Sequence, residues 1–270
     1  MSKSTWRNSF PTPDDPTRMK LKRTALAVLA HPDDAEFLCA GTLERLRTRG
    51  WTIHIATMTA GDCGSKTHPP KTIARIRMRE AERAAKVLRA KLTCLGCLDL
   101  QIFYDAPTLH AVTEQVRRVN PAVVFTHSPD DYMVDHETTS RLVRTAVFGA
   151  PMPNFHTGAD RPARPTACVP HLYYADAIEG KNIFGEPIQP YFYVDITRVM
   201  KTKERMLRCH ASQRAWLRAQ HGLDEYIAAM RRWSATRGRE ANVAFAEAFR
   251  QHRGHAFPQD NLAGKILGGE

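Results

Sequence analysis

TALAVLAHPDDAEF, Thr24–Phe37, decides how the chain is read. Its first seven residues form a continuous apolar run, as expected of a strand buried on both faces of a parallel sheet. The run stops at His31-Pro32. FLCAGTLERLRTRG, Phe37–Gly50, then follows with helical spacing and a closing glycine. His31, Asp33 and Asp34 therefore fall where the first strand gives out, at the carboxyl edge, where open α/β sheets hold their ligands. A helix N-cap explains one of the two carboxylates. It does not explain a histidine set directly before a proline and two adjacent acids.

The same alternation runs outward from this stretch. WTIHIATM (51–58) reads as a strand, and TIARIRMREAERAAKVLRA (72–90) as a strong helix. LTCLGC (92–97) is a strand, APTLHAVTEQVRRVN (106–120) a helix closed by Pro121, PAVVFTH a short strand and ETTSRLVRTAVFGA (137–150) a helix. This order predicts the α/β class: a Rossmann-like, mostly parallel sheet with helices on both faces. Pro151–Pro170 holds five prolines and reads as a long loop, either a lid over a site or plain surface. HLYYADAI and YFYVDI add two strands. The chain from Arg198 to about Trp233 is helical, with an interruption near Gly222, and a helical C-terminal region is expected over 198–255. The expected plan is an N-terminal extension (1–23) and one domain (24–270).

Composition narrows the class. The chain has 270 residues, 43% hydrophobic and 25% charged, an ordinary globular balance. No uncharged apolar run reaches the roughly 20 residues of a membrane helix. The N-terminus has basic residues but no apolar core before a cleavage site, so it is not read as a secretory signal, and the cytoplasm is the expected compartment. Net charge is +11, and Lys201–Arg253 alone carries 12 basic and 5 acidic side chains. Lacking zinc-finger spacing or an RNA-binding aromatic signature, that stretch is read as a solvated face, with no nucleic-acid partner. The six cysteines include one CxxC, Cys94 and Cys97, inside a strand and without a second pair. They are expected as free, buried or partly buried thiols.

A second stretch repeats the chemistry of the first. VFTHSPDDYMVDHETTS, Val124–Ser140, also lies at a strand end and carries His127, Asp130, Asp131, Asp135 and His136. Two strand ends with histidine and several aspartates point to a shared metal. A His/Asp/His set leaves a coordination position open for water, the catalytic zinc pattern. The same set can form an iron facial triad, so a non-haem iron oxygenase is a competing reading. A nucleotide-binding Rossmann-type module is a third, weakened because no GxGxxG follows the first strand.

AHPDDAE after the first strand, TAGDCGS after the second and DYMVDHETTSRLV after the fourth together resemble the LmbE/PIG-L family of zinc-dependent de-N-acetylases, which act on N-acetylglucosaminyl conjugates. The resemblance runs from about Thr24 to HASQ, His210–Gln213. It implies His31, Asp34 and His136 as ligands of Zn2+, Asp33 as catalytic base, and Arg77 as a substrate or oxyanion contact. Arg77 can also be read as one of many helix arginines. Asp135 is expected to support the site beside His136. The implied partner is a small N-acetylated molecule, and a homo-oligomer is compatible with the reading. The chemistry is amide hydrolysis: zinc acidifies water, Asp33 accepts the proton, and acetate and a free amine leave.

One position departs from the family. Its members commonly read HxDH in the last motif, and the first position here is Met133. A thioether can neither protonate a leaving amine nor donate to an oxyanion. Tyr132, His210, or Asp33 acting alone is expected to supply that contact. His210 shares a helical stripe with Lys203, Met206, Gln213 and Leu217, which an ordinary amphipathic helix would also show. Trp216, Tyr226, Met230 and Trp233 read as packing residues, and Arg250–Pro258 as a solvated loop.

Overall fold

In the computed structural model the described residues are 22–215 and 225–268. Most of the N-terminal extension, Trp216, Leu217 and the interruption near Gly222 lie outside them. The elements run β1 (Thr24–Leu29), α1 (Asp34–Leu38), α2 (Ala40–Arg47), β2 (Thr52–Thr59), α3 (Pro70–Leu88), β3 (Lys91–Cys97) and α4 (Ala106–Val119). They continue through β4 (Val123–Thr126), α5 (Val134–Gly149), β5 (His171–Ala175), β6 (Phe192–Asp195) and α6 (Met200–Leu207). The chain closes with α7 (Glu225–Glu240), β7 (Ala246–Gln251) and α8 (Leu262–Leu267).

One seven-stranded sheet organises these, in the order β3-β2-β1-β4-β5-β7-β6. Strands β1 to β5 are parallel, whereas β7 runs antiparallel to both β5 and β6. β1 shows why its sequence is apolar from Ala25 onward. Ala25, Ala27 and Leu29 pack into one core with Leu43, Leu88 and Met206. Leu26, Val28 and Ala30 face the other core with Val112, Val116 and Leu142. With period-two side chains and helices on both faces, no position of such a strand is left for a polar residue.

The expected helical region 198–255 is corrected by β7. AEAFRQ is rich in helix formers, but pairing on both edges with β5 and β6 overrides local propensity. β7 also delivers Glu247, which accepts the backbone N–H groups of Gly41 (2.8 Å) and Thr42 (2.7 Å) at the start of α2. Lys203 completes this buried cluster, its Nζ 2.6 Å from Glu247 Oε1 and 2.8 Å from the Phe37 carbonyl. Phe37–Gly50 is two helices rather than one, broken at Cys39.

The 151–170 loop is surface rather than a lid. Arg117, near the end of α4, donates to the carbonyls of Ala150 (3.0 Å), Met152 (2.7 Å) and Phe155 (2.8 Å). Glu114 accepts from Thr157 Oγ1 and Ala163 N–H, both at 2.8 Å. α4 ends just before β4 begins, so these anchors hold the loop at the amino edge of the sheet. The histidine and aspartate motifs lie at the opposite edge. All six cysteines are free, with Cys94 and Cys97 half-buried in β3. Among the described residues, no helix is long and apolar enough to cross a membrane.

Candidate metal centre and active site

The chain leaves β1 toward β2 and β3 on one side and returns to place β4 on the other. The crevice at this switch point is formed by the turns after β1 and β4. Into it the two motifs converge. His136 Nε2 lies 3.3 Å from His31 Nδ1 and 3.6 Å from Asp34 Oδ2, and His31 Nδ1 lies 3.4 Å from Asp34 Oδ2. The His31 amide donates to Asp34 Oδ2 at 2.7 Å, which fixes the turn. All three side chains are buried.

Each imidazole is held from behind by a carboxylate. His31 Nε2 is 3.2 Å from Asp135 Oδ2, and His136 Nδ1 is 3.0 Å from Asp131 Oδ1. Within the site, Asp135 backs His31 rather than the adjacent His136. α5 begins at Val134, so residues 135 and 136 point about 100° apart around the helix. The Leu100 N–H, donating at 2.7 Å, fixes Asp135 in place. His127, stacked on His136 with centroids 3.9 Å apart, puts Nε2 3.1 Å from Asp34 Oδ2. Burial, with the charge of His136, lowers the pKa of His127 to about 4.

The donor set fits a divalent cation. Two imidazole nitrogens and a carboxylate oxygen face one another, and both remote nitrogens meet carboxylates, the arrangement that orients metal-binding histidines. Burial acts against protonating His31, yet Asp34 and Asp135 raise its pKa to about 10. So enclosed a set of negative charges calls for a cation. The group His31, Asp34 and His136 is thus one that could hold a metal ion.

Beside it stands Asp33. Arg77 Nη2 donates to Asp33 Oδ1 at 2.9 Å, and Tyr226 Oη donates to Asp33 Oδ2. Burial favours the neutral acid, but the Arg77 and His210 charges hold the Asp33 carboxyl below the usual range. The TAGDCGS turn makes room for this guanidinium. At Gly61, with φ +76°, a Cβ would lie 2.4 Å from Arg77 Nη1. Arg77 is therefore buried against Asp33 and does not lie on a solvated helix face. Tyr226, read from sequence as packing, also donates its hydroxyl to Asp33, a contact the sequence did not disclose, since a lone helical tyrosine carries no local signal of what its hydroxyl meets.

The two candidate substitutes for the missing histidine lie on different sides of the site. Tyr132 is 60% exposed at the mouth, its ring edge-on to His136 at 5.4 Å. His210 is fully buried, with Nε2 3.6 Å from Glu36 Oε1. Met133 is the extended N-cap residue of α5, and its carbonyl accepts the N–H groups of His136 (3.0 Å) and Glu137 (3.2 Å). The HASQ stretch ties the site to its walls. Ser212 Oγ donates to Glu80 Oε2 at 2.6 Å and Gln213 Nε2 to the Gly64 carbonyl at 2.9 Å. On the same stripe, Lys203 serves the Glu247 cluster.

Fold and site together define an α/β protein with a buried His/Asp centre at the switch point of its sheet. Residues 26–147 match the PIG-L family model, described as GlcNAc-PI de-N-acetylase. A probable N-acetyl-alpha-D-glucosaminyl L-malate deacetylase 2 of Bacillus anthracis is 29% identical over 72% of this chain and 83% of its own length. The 4-oxalmesaconate hydratase of Pseudomonas putida is 26% identical over 90% of this chain and 93% of its own. The N,N'-diacetylchitobiose deacetylase of Pyrococcus horikoshii superposes with a TM-score of 0.73 at 25% identity, covering 89% of this chain and 88% of that one. The nucleotide-module and iron-oxygenase readings are not favoured. Two carboxylates at the turn after β1 would repel a phosphate, and Asp33 has no task in a facial triad.

Proposed function

We propose that the protein is a zinc-dependent hydrolase that removes the acetyl group from an N-acetylglucosamine-type conjugate. The observation that carries this reading is the juxtaposition of the His31–Asp34–His136 group with an Asp33 carboxylate fixed by Arg77 and Tyr226. The deacetylase relatives support it. His31, Asp34 and His136 would hold the metal, which when bound supplies Lewis acidity to water and to the acyl oxygen.

The chain's own residues perform the proton traffic. Asp33, ionised, accepts a proton from the attacking water, and Arg77 and Tyr226 fix the direction of its lone pairs. Arg77 also places positive charge where the acyl oxygen gains negative charge. As the carbon–nitrogen bond breaks, Asp33 returns the proton to the departing nitrogen, giving acetate and a free amine. With methionine at 133, His210 beside Glu36 is the remaining imidazole near Asp33.

The test is acetate release from a panel of N-acetylated sugars by zinc-loaded protein, with metal content measured on the same preparation. No acetate from any of them would overturn the reading. A second reading, addition of water to a carbon–carbon double bond, is favoured by the hydratase relative aligned over 90% of this chain. Loss of conjugated-alkene absorbance without acetate release would select it.

A further inference from the structure

Between β5 and β6 the chain projects a tightly built turn. Lys181 and Pro187 pair as an antiparallel bridge, and the Asn182 N–H donates to the Glu186 carbonyl at 3.0 Å. Asn182 Oδ1 accepts the N–H groups of Phe184 and Glu186, both at 2.9 Å, and Gly185 takes φ +78°. At the base, Arg237 of α7 donates Nη2 to the Ile188 carbonyl (3.3 Å) and Nε to Asp176 Oδ2 (2.6 Å). This fixed turn holds Ile183 at 60% and Phe184 at 79% exposure, which makes Phe184 the most exposed large hydrophobic side chain among the described residues. An apolar pair held in water by a preorganised turn has the properties of a docking element, since little ordering cost remains for association.

Beside the base of the turn lies its complement. α1, the chain at Ile178 and α7 enclose a cavity of about 310 Å³, lined by Phe37, Leu38, Ile178, Ala229 and Trp233. That volume is at the lower limit of small-molecule pockets and suits one or two inserted side chains. The tip does not fill it from its own chain, because Phe184 stays in water while Ile178 forms part of the wall. The charges match as well. Glu186, next to the tip, bonds Asn182 Nδ2 and forms no ion pair among the described residues. Neither does Arg239, which bonds Thr236 Oγ1 (2.9 Å) on the cavity rim. We infer that the Ile183–Phe184 tip docks in this cavity on a second copy of the chain, with Glu186 meeting Arg239. Tip and cavity lie side by side, so a two-fold axis lets each copy fill the other. One tip alone buries too little to hold together two chains of net charge +11. Reciprocal exchange doubles the contact and sets opposite charges against each other. The cavity wall also reaches the candidate active site: the Phe37 ring meets Tyr226 edge-on at 5.0 Å, and Tyr226 donates to Asp33. An inserted tip braces that tyrosine.

Analytical ultracentrifugation over a concentration series tests the contact, with no need of an activity. The parent is expected to dimerise. Phe184→Asp, which alters a side chain in water, and Ala229→Trp, which fills the cavity, should each weaken dimerisation at least tenfold. Circular dichroism checks that both fold. Mixed together, the two variants still offer one intact tip and one intact cavity, so they should associate more tightly than either does alone. Phe103→Asp, at a phenylalanine 61% exposed outside the contact, should behave like the parent. A parent that stays monomeric throughout overturns the proposal. If that monomer co-sediments with phosphatidylglycerol vesicles through Phe184, the occupant is a lipid surface and the proposal is equally overturned. A dimer left intact by Phe184→Asp or by Ala229→Trp, or weakened as much by Phe103→Asp, overturns it too. The link to Asp33 rests on the proposed hydrolase activity: Phe184→Asp should lower kcat with metal content unchanged, and equal kcat in monomer and dimer overturns that link alone. If no acetate is released by the parent, it is the hydrolase reading that fails, and sedimentation still decides the interface.

Discussion

At the scale of single residues the site separates holding from proton transfer. Asp33→Asn keeps the His31, Asp34 and His136 group and loses the proton acceptor. Metal content should stay at the parent level while kcat falls by about 10²–10⁴-fold, the usual contribution of a general base. Turnover equal to the parent would remove Asp33 from that role. His136→Ala should lose metal affinity and activity together, measured by metal analysis beside the assay. Met133 heads α5, with its carbonyl turned to the helix and its side chain partly exposed. Met133→His is expected to raise acetate release from a simple N-acetylglucosamine conjugate, or at least not to abolish it. The idea that another group compensates for Met133 fails if Tyr132→Phe and His210→Ala both leave the rate unchanged; Asp33 alone is then the simpler account.

At the scale of elements, two turns depend on residues far away in sequence. The turn after β2 can wrap the Arg77 guanidinium because Gly61 has no Cβ and adopts φ +76°. Gly61→Ala should displace Arg77, and a misplacement of about 1 Å can cost on the order of 10²-fold in rate. The expected signature is a fall in kcat with metal binding intact; a crystal structure of the variant would show whether Arg77 has left Asp33. The start of α2 lacks a local side-chain cap and relies on Glu247 of β7. Glu247→Ala strands the buried Lys203 ammonium and uncaps the helix. Leaving one member of a buried pair without its partner typically costs about 3–5 kcal/mol, so the denaturant midpoint should fall sharply. A midpoint within error of the parent would rule out this role for the cluster.

For the whole molecule, the proposed metal centre would also be a stability element. It gathers buried carboxylates from the turns after β1 and β4 at the middle of the sheet. A cation that binds only the folded chain stabilises it by about 2.7 kcal/mol at one hundred times its dissociation constant. Chelation should therefore lower Tm, and zinc should restore it; an unchanged Tm would separate the site from the fold. How much of this was legible in the sequence follows from the range of the forces involved. β1, β2 and the helices between them were readable because burial on both faces leaves a local period and composition. The metal group was readable because strand ends in a parallel sheet share one edge, so HPDD after β1 and DH after β4 had to face one crevice. What the sequence could not give were pairings made across the fold. AEAFRQ looks helical until β5 and β6 offer it hydrogen bonds on both edges. Asp135 is legible as an acid of the site, but only the start of α5 turns it toward His31. The Tyr226 contact with Asp33 carries no local signal at all. The sequence by itself determined the parallel core and the convergence of His31, Asp34 and His136, because those rest on periodicity and on strand polarity. Only the tertiary structure decided which carboxylate backs which histidine and what meets Asp33, because these are contacts between side chains up to 193 residues apart.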